Sequence, residues 1–342
     1  MSSERAVCAS APGKLILFGE HAVVYGYPCI VSAVEARVRV CVRMLAGDQV
    51  ILCVPGVSEP LALGVQDVLG ADRFPSAVRF VALALRRFWQ HVGRTFGVEI
   101  TSVPHPQSGG QGRPQDALSA SYGLGSSSAV TVATLRALAE VAGEAIGPGD
   151  LFKLGYEVAL AAQEGLSSGF DVAAAIYGGT LYYVTGGRVL EPLGVGELPL
   201  VVGYTGIKAD TTEYIKRVAQ RRQRFPLLVN TILESIAALV DEAKGALGRG
   251  DLPEVGRLMN LNQGWLQALG VSTDELDRLI HAARLAGAYG AKLSGAGGGD
   301  CMIALVDEGR RLDVERAIEG AGIPGARVLR VRTGAEGVRI EG

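Results

Sequence analysis

Long apolar runs are missing from this chain of 342 residues. Arg, Asp, Glu or Gly interrupts each hydrophobic stretch before it reaches the roughly 18 residues of a membrane span. Met1 to Ala6 has no apolar core, so no secretory signal is expected there. A basic excess is missing too. With 33 basic and 35 acidic residues the net charge is −2, which is not the footprint of a nucleic-acid binder. Cysteine is scarce: five stand at positions 8, 29, 41, 53 and 301, an odd number with no C-x-x-C pair. That spacing argues against a disulfide framework or a zinc site, and for a reducing cytoplasm. No Gly-X-Y period and no fixed repeat runs through the chain. These absences leave a soluble intracellular globular protein, expected to engage neither membrane nor nucleic acid.

What the sequence has in excess is glycine: 47 residues, about 14%, against a usual value near 7%. Hydrophobic residues make up 48% and charged ones 20%, enough apolar surface to offset chain entropy, so disorder does not explain the surplus. The glycines must serve particular backbone conformations. At roughly 100–200 residues per domain, the length suggests two domains.

Residues 34–44 alternate between apolar and polar, which predicts a strand with one buried face and one wet face bearing Glu35, Arg37, Arg39, Cys41 and Arg43. Helices are expected over 75–92, 129–141, 149–164, 210–247, 252–269, 272–286 and 311–320. Further strands are expected over 179–184, 198–204, 301–306 and 326–332. Residues 104–114 read as a surface loop, 186–197 as the crossing between domains, and Ser272-Thr-Asp-Glu275 as a capping box.

Three glycine-bearing segments carry chemistry. Gly123-Leu-Gly-Ser-Ser-Ser128 opens the apolar helix over 129–141. Free amides and the positive end of the helix dipole make such a start an anion site, and its hydroxyls can cap the helix or reach Mg²⁺. It is neither a Walker loop nor a dinucleotide fingerprint, and an ordinary serine cap is the plain alternative. Ser10-Ala-Pro-Gly-Lys14 leads into Gly19-Glu-His-Ala-Val-Val-Tyr-Gly26. A strand ending at Pro12 would put Lys14, Glu20 and His21 on one loop. Lys14 could then neutralise phosphoryl charge or polarise a hydroxyl, and His21 could bind a small polar substrate. A surface turn with a solvated lysine competes with that reading. Lys292-Leu-Ser-Gly-Ala-Gly-Gly-Gly299 reads as a tight turn with its amides open to a ligand, or as a purely structural one.

In this order P-G-K-x4-G-E-H, G-L-G-S-S-S and S-G-A-G-G-G resemble the motifs of the GHMP kinases, over nearly the whole chain from Ala11 to Gly299. The resemblance implies an α/β fold with a ribosomal-protein-S5-like N-terminal domain over 1–195 and a ferredoxin-like C-terminal domain over 196–342. ATP and the acceptor would sit between them. Gly19 to Gly26 and the run Asn260 to Thr273 are similar to the mevalonate kinase branch. Ser168-Gly-Phe-Asp-Val-Ala-Ala-Ala-Ile-Tyr-Gly178 and Gly299-Asp-Cys301 are more similar to phosphomevalonate kinases. The longer, substrate-facing match favours the first branch. It implies transfer from ATP, with Mg²⁺, to the 5-hydroxyl of (R)-mevalonate in isoprenoid biosynthesis. Transfer to 5-phosphomevalonate, or to another small molecule, is the alternative. Dimers are common in the family, so a homodimer is in keeping with the resemblance.

The resemblance also assigns roles. Asp171 matches the catalytic aspartate that takes the acceptor's proton, with Lys14 beside it. Gly123, Leu124, Gly125, Ser126, Ser127 and Ser128 would hold the phosphates, with Ser127 on Mg²⁺. Gly295, Ala296, Gly297 and Gly298 would close over them. Glu20, His21, Ser168 and Thr211 would bind the acceptor. The family's metal-binding glutamate, eleven residues before the aspartate, is Leu160 here, so Glu157 or Glu164 would have to replace it, with Glu164 favoured. Basic residues that often precede the threonine are Gly206 and Ala209 here, which leaves Lys208, and Ser121 stands where glycine is common. Two other classes compete. Gly165-Leu-Ser-Ser-Gly169 has the spelling of a hydrolase elbow at Ser167, yet a helix is expected before it and a strand after. A non-catalytic sensor on the same scaffold would be expected to lose Asp171 or Lys14.

Overall fold

A computed structural model of the chain describes residues 6–104 and 122–341. The loop expected over 104–114 and the departure at Ser121 fall almost wholly outside the described residues.

The alternating segment at 34–44 lies inside a longer strand, β2 (Pro28–Leu45), the spine of the first sheet. One edge of β2 carries β1 (Val7–Phe18). The opposite edge is shared by two strands, because 18 residues are long enough for both. There β5 (Gly97–Pro104) pairs with the second half of β2, and β6 (Thr180–Val184) pairs with the first. β3 (Gln49–Cys53) runs parallel to β5 and carries β4 (Leu61–Gly64), and β7 (Val189–Pro192) flanks β6. Helices α1 (Val65–Gly70), α2 (Arg79–Val92), α3 (Ser126–Ala142), α4 (Pro148–Ala162) and α5 (Phe170–Tyr177) belong to this half. α3 is apolar nearly all round because it is enclosed by β1, β2, α2 and α4.

The second sheet starts with β8 (Leu200–Tyr204). A long crossover of α6 (Thr211–Arg224), α7 (Pro226–Gly248), α8 (Leu252–Ala268) and α9 (Asp274–Leu285) leads to β9 (Gly290–Ser294) and β10 (Cys301–Leu305). α10 (Arg311–Glu319) then leads to β11 (Arg327–Leu329). The order β11-β8-β10-β9, all antiparallel, is the ferredoxin-like β-α-β-β-α-β pattern with an enlarged first crossover. The final described strand, β12 (Arg339–Glu341), returns to the first sheet beside β1. One apolar core runs through both halves, joining Val40 and Leu135 to Val240, Met259 and Ile303.

Several sequence expectations need correction. The helix expected over 210–247 is two helices, because Pro226 has no N–H to donate and occupies the first turn of α7. α5 was not anticipated, since its eight residues show no amphipathic pattern. It follows the turn at Ser167, so that turn has helices on both sides and no strand entering it, unlike a hydrolase elbow. Part of the expected crossing at 186–197 is β7. Thr273, not Ser272, caps α9, because Gln263 and Asp277 engage the Ser272 hydroxyl. On the supposedly wet face of β2, Arg37 is buried: it donates to the carbonyls of Ser10, Glu336 and Gly337, which fastens the segment before β12 onto the sheet.

Cysteine spacing also misled. Cys8 on β1 and Cys41 on β2 face each other in register and form a disulfide, although 33 residues apart in sequence. Cys29, Cys53 and Cys301 are free thiols. Among the described residues no helix is long and apolar enough to cross a membrane.

Candidate active site

A cavity of about 740 Å³ opens between the two sheets. Its floor is β1, which continues past Pro12 to Phe18, so Lys14 stands on a strand and only Glu20 and His21 on the following loop. The Lys14 amide donates to the Leu124 carbonyl at 2.7 Å, and its ammonium donates to the Gly123 carbonyl at 3.1 Å. The lysine stem fits because residue 125 is glycine: a Cβ there would lie 2.9 Å from Lys14 Cγ. The strand thereby positions the glycine turn, and the turn starts α3. Gly125 precedes α3 at φ +80°, and no described side chain caps the helix, so its first amides face the cavity beside Ser126 and Ser127.

Asp171 lies in the first turn of α5, behind Gly169 at φ +86°, with one carboxylate oxygen accepting from the Val172 amide. Lys14 also lies 5.6 Å from the Phe170 ring, next to Asp171. Cys29 sits beneath this group. Burial raises its thiol pKa well above the ordinary value, and the charges of Glu20 and Asp171 add to the effect. It is therefore a neutral packing residue.

A clamp holds the far wall in place. Lys292 of β9 and Glu20 form an ion pair with both side chains out of solvent. The other Glu20 oxygen accepts from Asn262 of α8 at 3.1 Å, and Lys292 also donates to the Leu293 carbonyl. Next door, His21 Nε2 stands 2.9 Å from the Ala296 carbonyl. A carbonyl only accepts, so Nε2 carries the proton and Nδ1 is left as an acceptor. Burial lowers the His21 pKa to about 4, partly offset by the Ala296 bond, so the ring is neutral near pH 7.

The third glycine segment divides in two. Gly295 and Ala296 line the cavity. Gly297 and Gly298 are pressed away from it, where a Cβ would lie 2.0 Å from the Val271 carbonyl and 2.0 Å from the Tyr214 ring, respectively. Two residues after Gly298, Asp300 returns to the cavity at φ +54°. Burial raises its carboxyl pKa, against the Ala209 hydrogen bond and the charges of Lys14 and Lys208.

A magnesium ion carried by nucleotide phosphates needs hard oxygen donors, commonly one or two carboxylates besides phosphate and water. The cavity offers the Ser127 hydroxyl and the carboxylates of Asp171 and Asp300. Among the described residues no group of three or more His, Cys, Asp or Glu could hold a metal by itself. The donor set fits an ion that arrives with the nucleotide. Glu164 does not contribute: it lies outside the lining, its side chain is 76% exposed, and it faces Lys216 at 3.5 Å. Glu157 is paired with Arg87 on α2. From the segment after α4, Gln163, Leu166 and Ser167 line the cavity instead.

The family model of the GHMP kinases N terminal domain matches residues 78–179, and that of GHMP kinases C terminal matches residues 243–323. The mevalonate kinase of Pyrococcus horikoshii is 43% identical over 98% of both chains. The chain belongs to the GHMP kinase family. The mevalonate kinase of Pyrococcus abyssi is 38% identical, again over 98% of both chains. Among solved structures, the L. major mevalonate kinase in complex with R-mevalonate superposes with a TM-score of 0.76 at 26% identity, covering 98% of each chain.

Set against the residues expected for a GHMP kinase, the cavity brings together Lys14, Glu20, His21, Gly123, Gly125, Ser126, Ser127, Ser168, Asp171, Thr211, Gly295 and Ala296. Leu124 and Ser128 are buried in the packing instead, and Glu164, Gly297 and Gly298 lie elsewhere. Glu20 is present, but both its oxygens are occupied by Lys292 and Asn262, so it orients the loop. Sequence reasoning missed an apolar lobe formed by Val54, Phe80, Val81 and Val103, with Arg79 at its side. Nothing in the spelling of those segments marks them. Asp300 had a signal, being an acid directly after a glycine run.

Two predictions follow from the clamp and its neighbour. Lys292→Met strands the Glu20 charge in the interior and should cost about 3–5 kcal/mol in chemical denaturation. The double variant with Glu20→Gln should recover more than half of that loss. His21 binds its proton near pH 6.5 when unfolded and only near pH 4 when folded. The unfolded state therefore binds more protons between these values, and stability falls as pH drops from about 6.5 to about 4, by up to about 3 kcal/mol. His21→Gln, which keeps a donor for Ala296 and does not titrate, should flatten that slope in denaturation curves taken at stepped pH.

Proposed function

We propose that this GHMP kinase transfers the γ-phosphoryl group of ATP to the 5-hydroxyl of (R)-mevalonate. The observation that carries the reading is the meeting of Lys14, Asp171 and the uncapped N-terminus of α3 in one cavity. Near-full-length relatives that are mevalonate kinases supply the acceptor. Transfer of a phosphoryl group asks for positioning and charge stabilisation more than for covalent work by the protein. Phosphates lie on the amides of Gly125 to Ser127, where the helix dipole favours negative charge. The apolar lobe at Val54, Phe80 and Val103 takes the base. Mg²⁺, when bound, would neutralise phosphate charge, and the Ser127 hydroxyl would be a ligand for it.

The acceptor lies between the His21 and Ser168 side of the cavity and Thr211 at the first turn of α6. His21 offers an unprotonated Nδ1 to a hydroxyl. Asp171 takes the proton of the 5-hydroxyl as the oxygen attacks, and Lys14 neutralises the developing charge. Closing the two halves, 1–195 and 196–342, around the cavity excludes water that would otherwise compete as acceptor. A cytoplasmic setting, with ATP as the donor, belongs to the same reading.

ADP release, followed with mevalonate and with phosphomevalonate side by side, tests the acceptor. Turnover with mevalonate is expected, and turnover with phosphomevalonate alone would sink the reading. Asp171→Asn should lower kcat by about 10³ while ATP still binds. Near-normal turnover in that variant would remove Asp171 from the proton transfer.

A further inference from the structure

We propose that Asp300 is the carboxylate through which this chain grips the divalent cation of the bound nucleotide. The proposal rests on the nucleotide reading above and names a residue that the glycine-rich motifs do not. Asp300 is one of three non-glycine residues at positive φ among the described residues. Its backbone is fixed on both sides: the amide donates to the Ile207 carbonyl at 2.8 Å, and the carbonyl accepts from Thr205 at 2.9 Å. An acid held in that conformation by its surroundings calls for a functional reason.

The side chain supplies one. Oδ1 accepts from the Ala209 amide at 3.2 Å. Oδ2 is aimed at the glycine turn before α3, so closely that a Cβ on Gly123 would lie 2.6 Å from it. Gly123 thus makes room for a carboxylate arriving from the second sheet, at the turn that receives phosphate. Carboxylate and phosphate repel each other unless a cation stands between them. Lys14 already donates to the Gly123 carbonyl. A divalent ion held by the Asp300 carboxylate would offset that repulsion and would take its protein ligand from the second half of the molecule.

The other acids near the cavity are otherwise engaged. Glu20 is bound to Lys292 and Asn262, Glu157 to Arg87, and Glu164 faces solvent beside Lys216. Asp171 faces the acceptor. Asp300 is the carboxylate left for the metal.

Binding measurements test this without turnover. Mn²⁺ stands in for Mg²⁺, and free Mn²⁺ is read by electron paramagnetic resonance in wild type, Asp300→Asn and Asp300→Gly, each with saturating ADP. ADP binding in EDTA is measured in parallel by calorimetry. Asn keeps an oxygen for the Ala209 amide and removes only the charge. Gly adopts the positive φ freely and keeps the experiment sound if Asn disturbs folding. The expected result is Mn²⁺ affinity weakened about tenfold or more in both variants, with metal-free ADP binding at least as tight as in wild type. Unchanged Mn²⁺ affinity would overturn the proposal. So would an equal loss of ADP affinity in EDTA, which would make Asp300 a prop for the turn. A wild type that binds no ADP would instead sink the nucleotide reading beneath it.

Discussion

The buried pair between Lys292 and Glu20 is the constraint on which the site depends. Glu20 belongs to the loop after β1, and Lys292 to the second sheet. Two charges removed from water demand each other, so the loop has little freedom to leave the sheet. With the loop pinned, His21 reaches the Ala296 carbonyl, and Gly295 with Ala296 faces the cavity. The catalytic cleft is therefore a seam kept in register by one interior ion pair and its Asn262 ligand. An apolar pair of the same volume could hold the halves together, but it would give no direction to the loop.

Charge is sorted along that seam. Lys14, Lys208 and the start of α3 make one end of the cavity positive, while Asp171 and Asp300 also line it. His21 remains uncharged because it is buried. Backbone amides and lysines therefore supply the positive side of the cavity, and the buried ring beside them adds no charge. The two halves contribute unequally: the first holds Lys14, the glycine turn and Asp171, and the second brings Thr211, Lys208, Ala296 and Asp300 to meet them.

Local chemistry was legible in the sequence and distant chemistry was not. Gly125 and Ser127 could be placed at a helix start because glycine and serine there have local reasons to be present, and both do line the cavity. The alternation in β2 showed a strand, yet it made Arg37 look wet. The carbonyls of Glu336 and Gly337 that cover it come from almost 300 residues away, with |i−j| of 299 and 300. Glu20 was misjudged for the same reason, since its partner is 272 residues distant. Cys8 and Cys41 meet through strand register, which spacing rules do not count. Gly297 and Gly298 look identical to Gly295 in sequence, but only the packing of Val271 and Tyr214 tells which glycines make room for protein and which faces the open cavity.

The return of β12 to the first sheet bears on the order in which this chain can mature. Cys8 in β1 stands opposite Glu341 in the strand register, and the core of the first half draws on Val240, Met259 and Ile303. During synthesis, the early residues leave the ribosome with an unpaired strand edge and an unfinished interior. Such an edge is a template for wrong pairing until its own partner emerges. The two halves therefore cannot mature one after the other like beads. The edge of the first sheet at β1 stays open until β12 has been made.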